Sequence, residues 1–265
     1  MKLSISNIAW TSEQDSDVYA LMQKYGYRGL EIAPTRIFPE RPYDSLIQAE
    51  TWAKSLKETL GFEIPSMQSI WFGRSEKLFG TNEEQDSLIS YTKKAIHFAS
   101  AIGCKNLVFG CPKNRNFPEN ADWNDGIAFF KQIGDYAYSK GTVIGMEANP
   151  SIYGTNYIND TASALDLIKS VNSKGFLLNL DVGTMVQNQE HLQVLDKNMG
   201  FINHVHVSEP HLRPLEKRKL HSTLANILNN NHYQGYVSIE MGCQQDMQVL
   251  EECMDYIKEI FGDGN

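Results

Sequence analysis

The sequence predicts an α/β protein, a single (β/α)8 TIM barrel domain spanning residues 1–265. Two observations predict it: a recurring helix–glycine–strand junction and a length suited to eight βα units. Helical stretches close at Gly26, Gly61, Gly103, Gly141, Gly175, Gly200 and Gly235, and a strand-like run follows each within a few residues. Glycine tolerates the left-handed conformation that ends a helix, so each is an αβ junction. Together with the opening strand, Lys2–Trp10, these junctions predict eight strands. Met247, Leu250, Met254, Ile257 and Phe261 recur at helical spacing and form one apolar stripe. Thr81 with Glu84 reads as a capping box opening the third helix. The competing architecture, a doubly wound open sheet, would carry a phosphate-binding Gly-rich turn early in the chain. That turn is absent, as are a Walker loop and a Gly-x-Ser-x-Gly elbow.

Charge and cysteine usage bound the partners. The chain has 24 basic and 32 acidic residues, a formal net charge of −8. An acidic exterior repels phosphate backbones, which argues against nucleic acid while leaving room for a basic pocket. Cys104, Cys111, Cys243 and Cys253 include no C-x-x-C pair and read as reduced thiols, so a cytoplasmic location is expected. The N-terminus lacks a signal-peptide hydrophobic region and no apolar run could span a bilayer, so no membrane partner is expected.

In a barrel of this kind, chemistry collects at the C-terminal ends of the strands. Strand five ends Met146-Glu147-Ala148-Asn149, strand six Leu180-Asp181-Val182-Gly183, strand seven His204-Val205-His206-Val207, and strand eight Ile239-Glu240-Met241-Gly242. Glu147, Asp181, His206 and Glu240 are separated by 34, 25 and 34 residues, one βα step each. Met146, Leu180, Val205, Val207, Ile239 and Met241 have the opposite strand parity and are all apolar, as residues facing the outer helices must be. The four candidates therefore point into the barrel. Three buried carboxylates around one imidazole repel one another unless a cation joins them. The donor set suits Mn²⁺, Mg²⁺ or Co²⁺, and Zn²⁺ is admitted. One layer deeper lie Gly145, Asn179, His204 and Ser238, either orienting the ligands by hydrogen bonds or serving as ordinary core polar groups.

The segments "MEANP", "NLDVGTM", "HVHVSEPHLRP" and "VSIEMG" resemble the xylose-isomerase-like barrels, the superfamily of sugar isomerases and ketose 3-epimerases, and the resemblance covers essentially the whole chain. It implies a metal set of Glu147, Asp181, His206 and Glu240, with Glu147 and Glu240 also moving the proton. It implies substrate contacts from Arg213 and Glu209. Two positions depart from the epimerase pattern: Thr184 stands where those enzymes carry a histidine, and Tyr153 where they carry a second glutamate. Both family residues contact substrate, so a free ketohexose is not implied.

Physically, a carbon acid beside a carbonyl needs its developing enediolate charge spread over a metal, and a base and acid placed at the carbon. Glu147 and Glu240, the outer members of the set, can flank such a substrate. The expected activity is a metal-dependent isomerase or epimerase acting on a small sugar or sugar phosphate. Trp10, Trp71 and Phe72 are candidate pocket walls, Asn149 and His211 candidate substrate contacts, and Glu31 either a hydroxyl acceptor or a structural group. Lys113 and Arg115 are candidates to hold a phosphate or carboxylate, and His221 reads as a surface residue. The rival readings are a metal-dependent dehydratase of a keto-polyol such as a keto-inositol, and a non-catalytic sugar-binding barrel. A phosphodiesterase with a three-zinc cluster would need more clustered histidines than the seven scattered here. Self-association, common among such barrels, is left open by the sequence.

Overall fold

A computed structural model describes residues 1–262. Eight parallel strands appear in the expected order: β1 Lys2–Ser6, β2 Gly29–Glu31, β3 Ser66–Met67, β4 Asn106–Phe109, β5 Val143–Met146, β6 Phe176–Asp181, β7 Ile202–Val207 and β8 Tyr236–Ile239. Their order in the sheet is β2-β1-β8-β7-β6-β5-β4-β3. The ends meet through the parallel bridges Gly29↔Glu63 and Ile32↔Met67. Leu30 N donates to Glu63 O at 2.8 Å and Gln68 N to Ile32 O at 2.8 Å. The sheet thereby becomes a nearly closed barrel whose strands avoid an exposed edge. Helices surround it, among them Asn82–Ala101, Trp123–Ser139, Thr161–Val171, Lys219–Asn230 and Met247–Phe261. No helix among the described residues is long and apolar enough to cross a membrane.

The junction glycines divide into two physical kinds. Gly26, Gly61, Gly103 and Gly141 are left-handed, with φ between 73° and 77°. Gly175 is not. Asn172 takes the left-handed position that closes the preceding helix, at φ 47°. A Cβ on Gly175 would lie 2.0 Å from Gly134 O, so this glycine serves close helix–strand approach. Thr81 and Glu84 form the expected capping box.

Parity is borne out around the barrel. Met146, Leu180, Val205, Val207, Ile239 and Met241 are all fully buried in the hydrophobic core. The lower interior is unusual for a barrel, where branched apolar layers dominate. Ser4, Ser66, Asn106, Asn179, His204 and Ser238 are buried there, with Gly145 beside Asn106 and Asn179.

Candidate metal centre

The site is built at the C-terminal ends of the strands. The strand register sets Asp181 directly beside His206. Glu147 begins the segment after β5, held by its N–H to Phe109 O at 3.1 Å, and Glu240 follows β8, held by its N–H to Val207 O at 3.0 Å. His206 Nδ1 lies 3.0 Å from Glu147 Oε2 and 3.3 Å from Glu240 Oε2. One ligand atom from each of these three residues falls within 4.8 Å of the others. Asp181 stands beside this trio and lines the same cleft. Its Oδ2 accepts from Thr184 N at 2.8 Å and from Thr184 Oγ1 at 2.7 Å, while Oδ1 accepts from Ser208 Oγ. Asp181 is thus also the N-cap of the helix Val182–Asn188.

Beneath the trio lies Glu31, fully buried at the end of β2. Its Oε2 is 2.9 Å from His206 Nε2 and 3.0 Å from His204 Nε2, and its Oε1 accepts from Gln68 Nε2 at 3.2 Å. A carboxylate on the far nitrogen fixes the ring's orientation and leaves Nδ1 facing Glu147 and Glu240, the arrangement that supports histidine ligands. The structure thus gives Glu31 a role beneath the histidine rather than at a substrate hydroxyl.

The electrostatics bear on what these residues could hold. Burial, then the nearby Glu147, raises the Asp181 carboxyl above its usual range. Burial also raises the Glu240 carboxyl, against the opposing pull of His206. Burial opposes charge on His206, yet Glu31 and then Glu240 hold its pKa well above the ordinary imidazole value. Three buried acidic side chains, Glu31, Glu147 and Glu240, and the half-buried Asp181 crowd one ring, a set that a divalent ion of oxygen and nitrogen preference fits.

The cleft above measures about 190 Å³. Glu147, Asn149, Asp181, Ser208 and Glu240 form its polar side, and Val108, Tyr153 and Leu212 supply apolar surface. Asn149 Nδ2 donates to Glu147 Oε1 at 3.0 Å, whereas its Oδ1 is buried without a partner. Tyr153 Oη accepts from His211 N at 2.8 Å, joining the loops after β5 and β7 over the cleft.

Several expected substrate contacts lie elsewhere. Arg115 is fully buried, donating to Glu147 O at 2.8 Å and Ile158 O at 3.2 Å, so it braces backbone instead of facing a phosphate. Burial lowers its pKa to about 10. Lys113 is exposed and outside the cleft lining. Glu209 does line the cleft, with its carboxylate held in a two-pronged pair with Arg218, 2.7 Å at each oxygen. Arg213 is exposed, 3.8 Å from Glu216. Trp10 is buried with its N–H on Asp15, and Trp71 is buried edge-on against Phe109 and Phe129 with its N–H on Thr92. Neither ring lines the cleft, and Phe72 projects into solvent. The His211 side chain is exposed; its backbone reaches Tyr153. His221 is fully buried against Tyr256, not at the surface. Sequence reasoning missed Ser208 and Gln68. Extending the His204–His206 parity by one step finds Ser208; Gln68, in a loop beyond the two-residue β3, carries no periodic signal.

The family described as a xylose isomerase-like TIM barrel matches residues 19–260. No curated protein matches the chain by sequence. Among solved structures, a 3-keto-D-glucoside 4-epimerase from E. coli is similar at 19% identity and a TM-score of 0.76, covering 98% of this chain and 99% of that one. A D-psicose 3-epimerase from Clostridium cellulolyticum H10 is similar at 14% identity and a TM-score of 0.79, again covering 98% and 99%. A structure from Brucella melitensis described as an AP endonuclease, family 2, is similar at 19% identity and a TM-score of 0.72, covering 98% and 99%. At these identities the structural likeness speaks for the fold.

Proposed function

The chain belongs to the xylose isomerase-like TIM barrel family, and on that premise we propose that it is a divalent-metal-dependent sugar isomerase or epimerase. The observation that carries this reading is the convergence of Glu147, His206 and Glu240 within 4.8 Å of one another, with Asp181 beside them, at the C-terminal mouth of the barrel. Glu147, Asp181, His206 and Glu240 would hold the ion, Mn²⁺, Mg²⁺ or Co²⁺ by donor preference. When bound, it supplies Lewis acidity that stabilises charge developing on a substrate carbonyl and its neighbouring hydroxyl.

The chain's own residues do the rest. Glu147 and Glu240 approach from opposite ends of the set, so one removes the proton from the carbon beside the carbonyl and either returns it. Glu31 holds the His206 ring so that Nδ1 stays turned to Glu147 and Glu240. Asn149 fixes Oε1 of Glu147, and Tyr153 with Leu212 covers the reacting face, limiting water.

The cleft also bears on the substrate. Among the described residues, its lining holds no lysine, arginine or histidine. A phosphate placed among four carboxylates without a cation of its own would be repelled. A volume of about 190 Å³ is below the ~300–1,000 Å³ of sites for drug-sized ligands and suits one monosaccharide unit. The proposed substrate is therefore an uncharged ketose or aldose. The test is product analysis by chromatography after incubating the Mn²⁺-loaded protein with matched free and phosphorylated sugars. Conversion of a free sugar to a stereoisomer, lost in Glu147→Gln and Glu240→Gln, supports the reading. Turnover confined to phosphorylated sugars refutes the substrate assignment, and an unsaturated product refutes the isomerase assignment in favour of dehydration.

A further inference from the structure

We propose that Asn179 is a positioning residue for Glu147, and that a ladder of asparagine amides rising through the barrel interior sets the direction in which Asn179 donates. The proposal deepens the metal-site reading above and rests on it for its link to activity.

The ladder starts at the lower end of the barrel. Asn203 Nδ2 donates to Asn106 Oδ1 at 2.8 Å. Asn106 Nδ2 donates to Ser66 Oγ at 3.0 Å and to Asn179 Oδ1 at 3.2 Å. Asn179 Nδ2 donates to Glu147 Oε2 at 2.9 Å and lies 3.3 Å from His206 Nδ1. Asn106 and Asn179 each accept from the amide below and donate upward, Asn106 to Asn179 and Asn179 to Glu147. An ionised carboxylate can only accept, so the top of the ladder must present N–H. Turning over either Asn106 or Asn179 would set two carbonyl oxygens, or two amino groups, against each other in a dry interior. One polarity satisfies every member.

The backbone is shaped for this ladder. A Cβ on Gly145 of β5 would lie 2.4 Å from Asn106 Oδ1 and 3.1 Å from Asn179 Cβ. Only glycine at that position leaves room for both side chains. Asn106 and Asn179 are 1% and 0% exposed, so neither amide exchanges partners with bulk water. With Asn149 on Oε1 and Asn179 on Oε2, both oxygens of Glu147 are held at set angles. Among the described residues Asn106 has no hydrogen bond to Glu147, so any effect of Asn106 on that carboxylate passes through Asn179.

The test has two arms. In metal-free protein labelled with ¹⁵N-asparagine, the Asn179 side-chain amide is followed by NMR. It is expected to be protected from exchange, to shift in Glu147→Gln, and to shift again in Asn106→Ala. Asn106→Asp, of nearly the same shape, is run alongside so that lost volume is not read as lost donation; it must shift the amide too. In the second arm Co²⁺ is titrated and its visible absorption recorded. Asn179→Ala is expected to weaken Co²⁺ by about 10-fold or more and alter the band intensities. Asn106→Ala does so less, and the double variant matches Asn179→Ala alone, because residues in one chain of contacts are not additive. An unshifted Asn179 amide in both Asn106 variants overturns the ladder, as does full additivity of the two substitutions toward Co²⁺. If the wild type takes up no Co²⁺, the metal-site reading fails, and the NMR arm still decides the ladder.

Discussion

Replacing Glu31 with glutamine removes one negative charge from beneath His206 while keeping nearly the same volume. In the native protein Glu31 Oε2 is 2.9 Å from His206 Nε2, and both side chains are fully buried. A hydrogen bond to a charged partner contributes roughly 1.5–3 kcal/mol, against about 1 for a neutral one. The glutamine carbonyl can still accept from Nε2, so the loss is the difference, on the order of 0.5–2 kcal/mol, in ring orientation and basicity. Expressed as metal affinity this is about 2–30-fold, overlapping the lower end of the roughly 10–100-fold cost of removing a partner from behind a histidine ligand. Titration of Mn²⁺ by calorimetry, with competition by a chelator, reads this directly. A weakened Kd at unchanged stoichiometry is expected. A variant with wild-type affinity would refute the argument that Glu31 holds His206 for the metal, and with it the assignment of Nδ1 as the ligand atom.

Three further outcomes follow from the same geometry. Arg115→Met should lower stability by about 2–5 kcal/mol in urea melts, because two buried carbonyls, Glu147 O and Ile158 O, lose their donors; a change under 1 kcal/mol contradicts the bracing role. His221 is held neutral by burial, its pKa pushed from 6.5 down to about 4. The native ring therefore refuses a proton that the unfolded chain accepts, so its contribution is intact above pH 6.5 and is lost as pH falls toward 4. By pH 4.5 that loss is roughly 2.5 kcal/mol, and a His221→Gln variant, compared by denaturant melts at pH 7.5 and 4.5, should be correspondingly less acid-sensitive. Finally, the charged form of His206 is favoured by Glu31 and Glu240 in the metal-free protein, so metal binding must expel a proton. Calorimetry in buffers of different ionisation heat should show proton release and an affinity that falls as pH falls; a pH-independent affinity would contradict it.

The strand ends were legible because a βα repeat ties sequence spacing to position around the barrel. Residues at one phase of successive strands must converge, and strand parity separates Glu147, Asp181, His206 and Glu240 from their apolar neighbours without reference to loops. Loop residues carry no such rule. Glu209 and Arg218, nine residues apart, find each other across the excursion after β7, a pairing that no strand period announces. Arg115 looks in sequence like a cation at the mouth beside Lys113, yet the chain turns it inward, where two carbonyls need donors. Trp10 and Trp71 read in sequence as strand-end residues, but β1 stops at Ser6 and β3 at Met67, and beyond them the two N–H groups find Asp15 and Thr92, so the rings pack sideways. His221 was misplaced because a polar residue in an amphipathic helix reads as solvent-facing, whereas Tyr256 offers it a buried partner.

The central claim is metal-dependent proton transfer at a sugar carbon. Its most direct measurement is solvent-deuterium incorporation, followed by NMR, into a panel of free ketoses and aldoses by Mn²⁺-loaded protein, with and without EDTA. The account predicts exchange at a single carbon adjacent to the carbonyl of one sugar, abolished by EDTA and absent in Glu147→Gln and Glu240→Gln. Exchange that persists undiminished in EDTA, or no exchange with any sugar from protein shown to hold its metal, would contradict it.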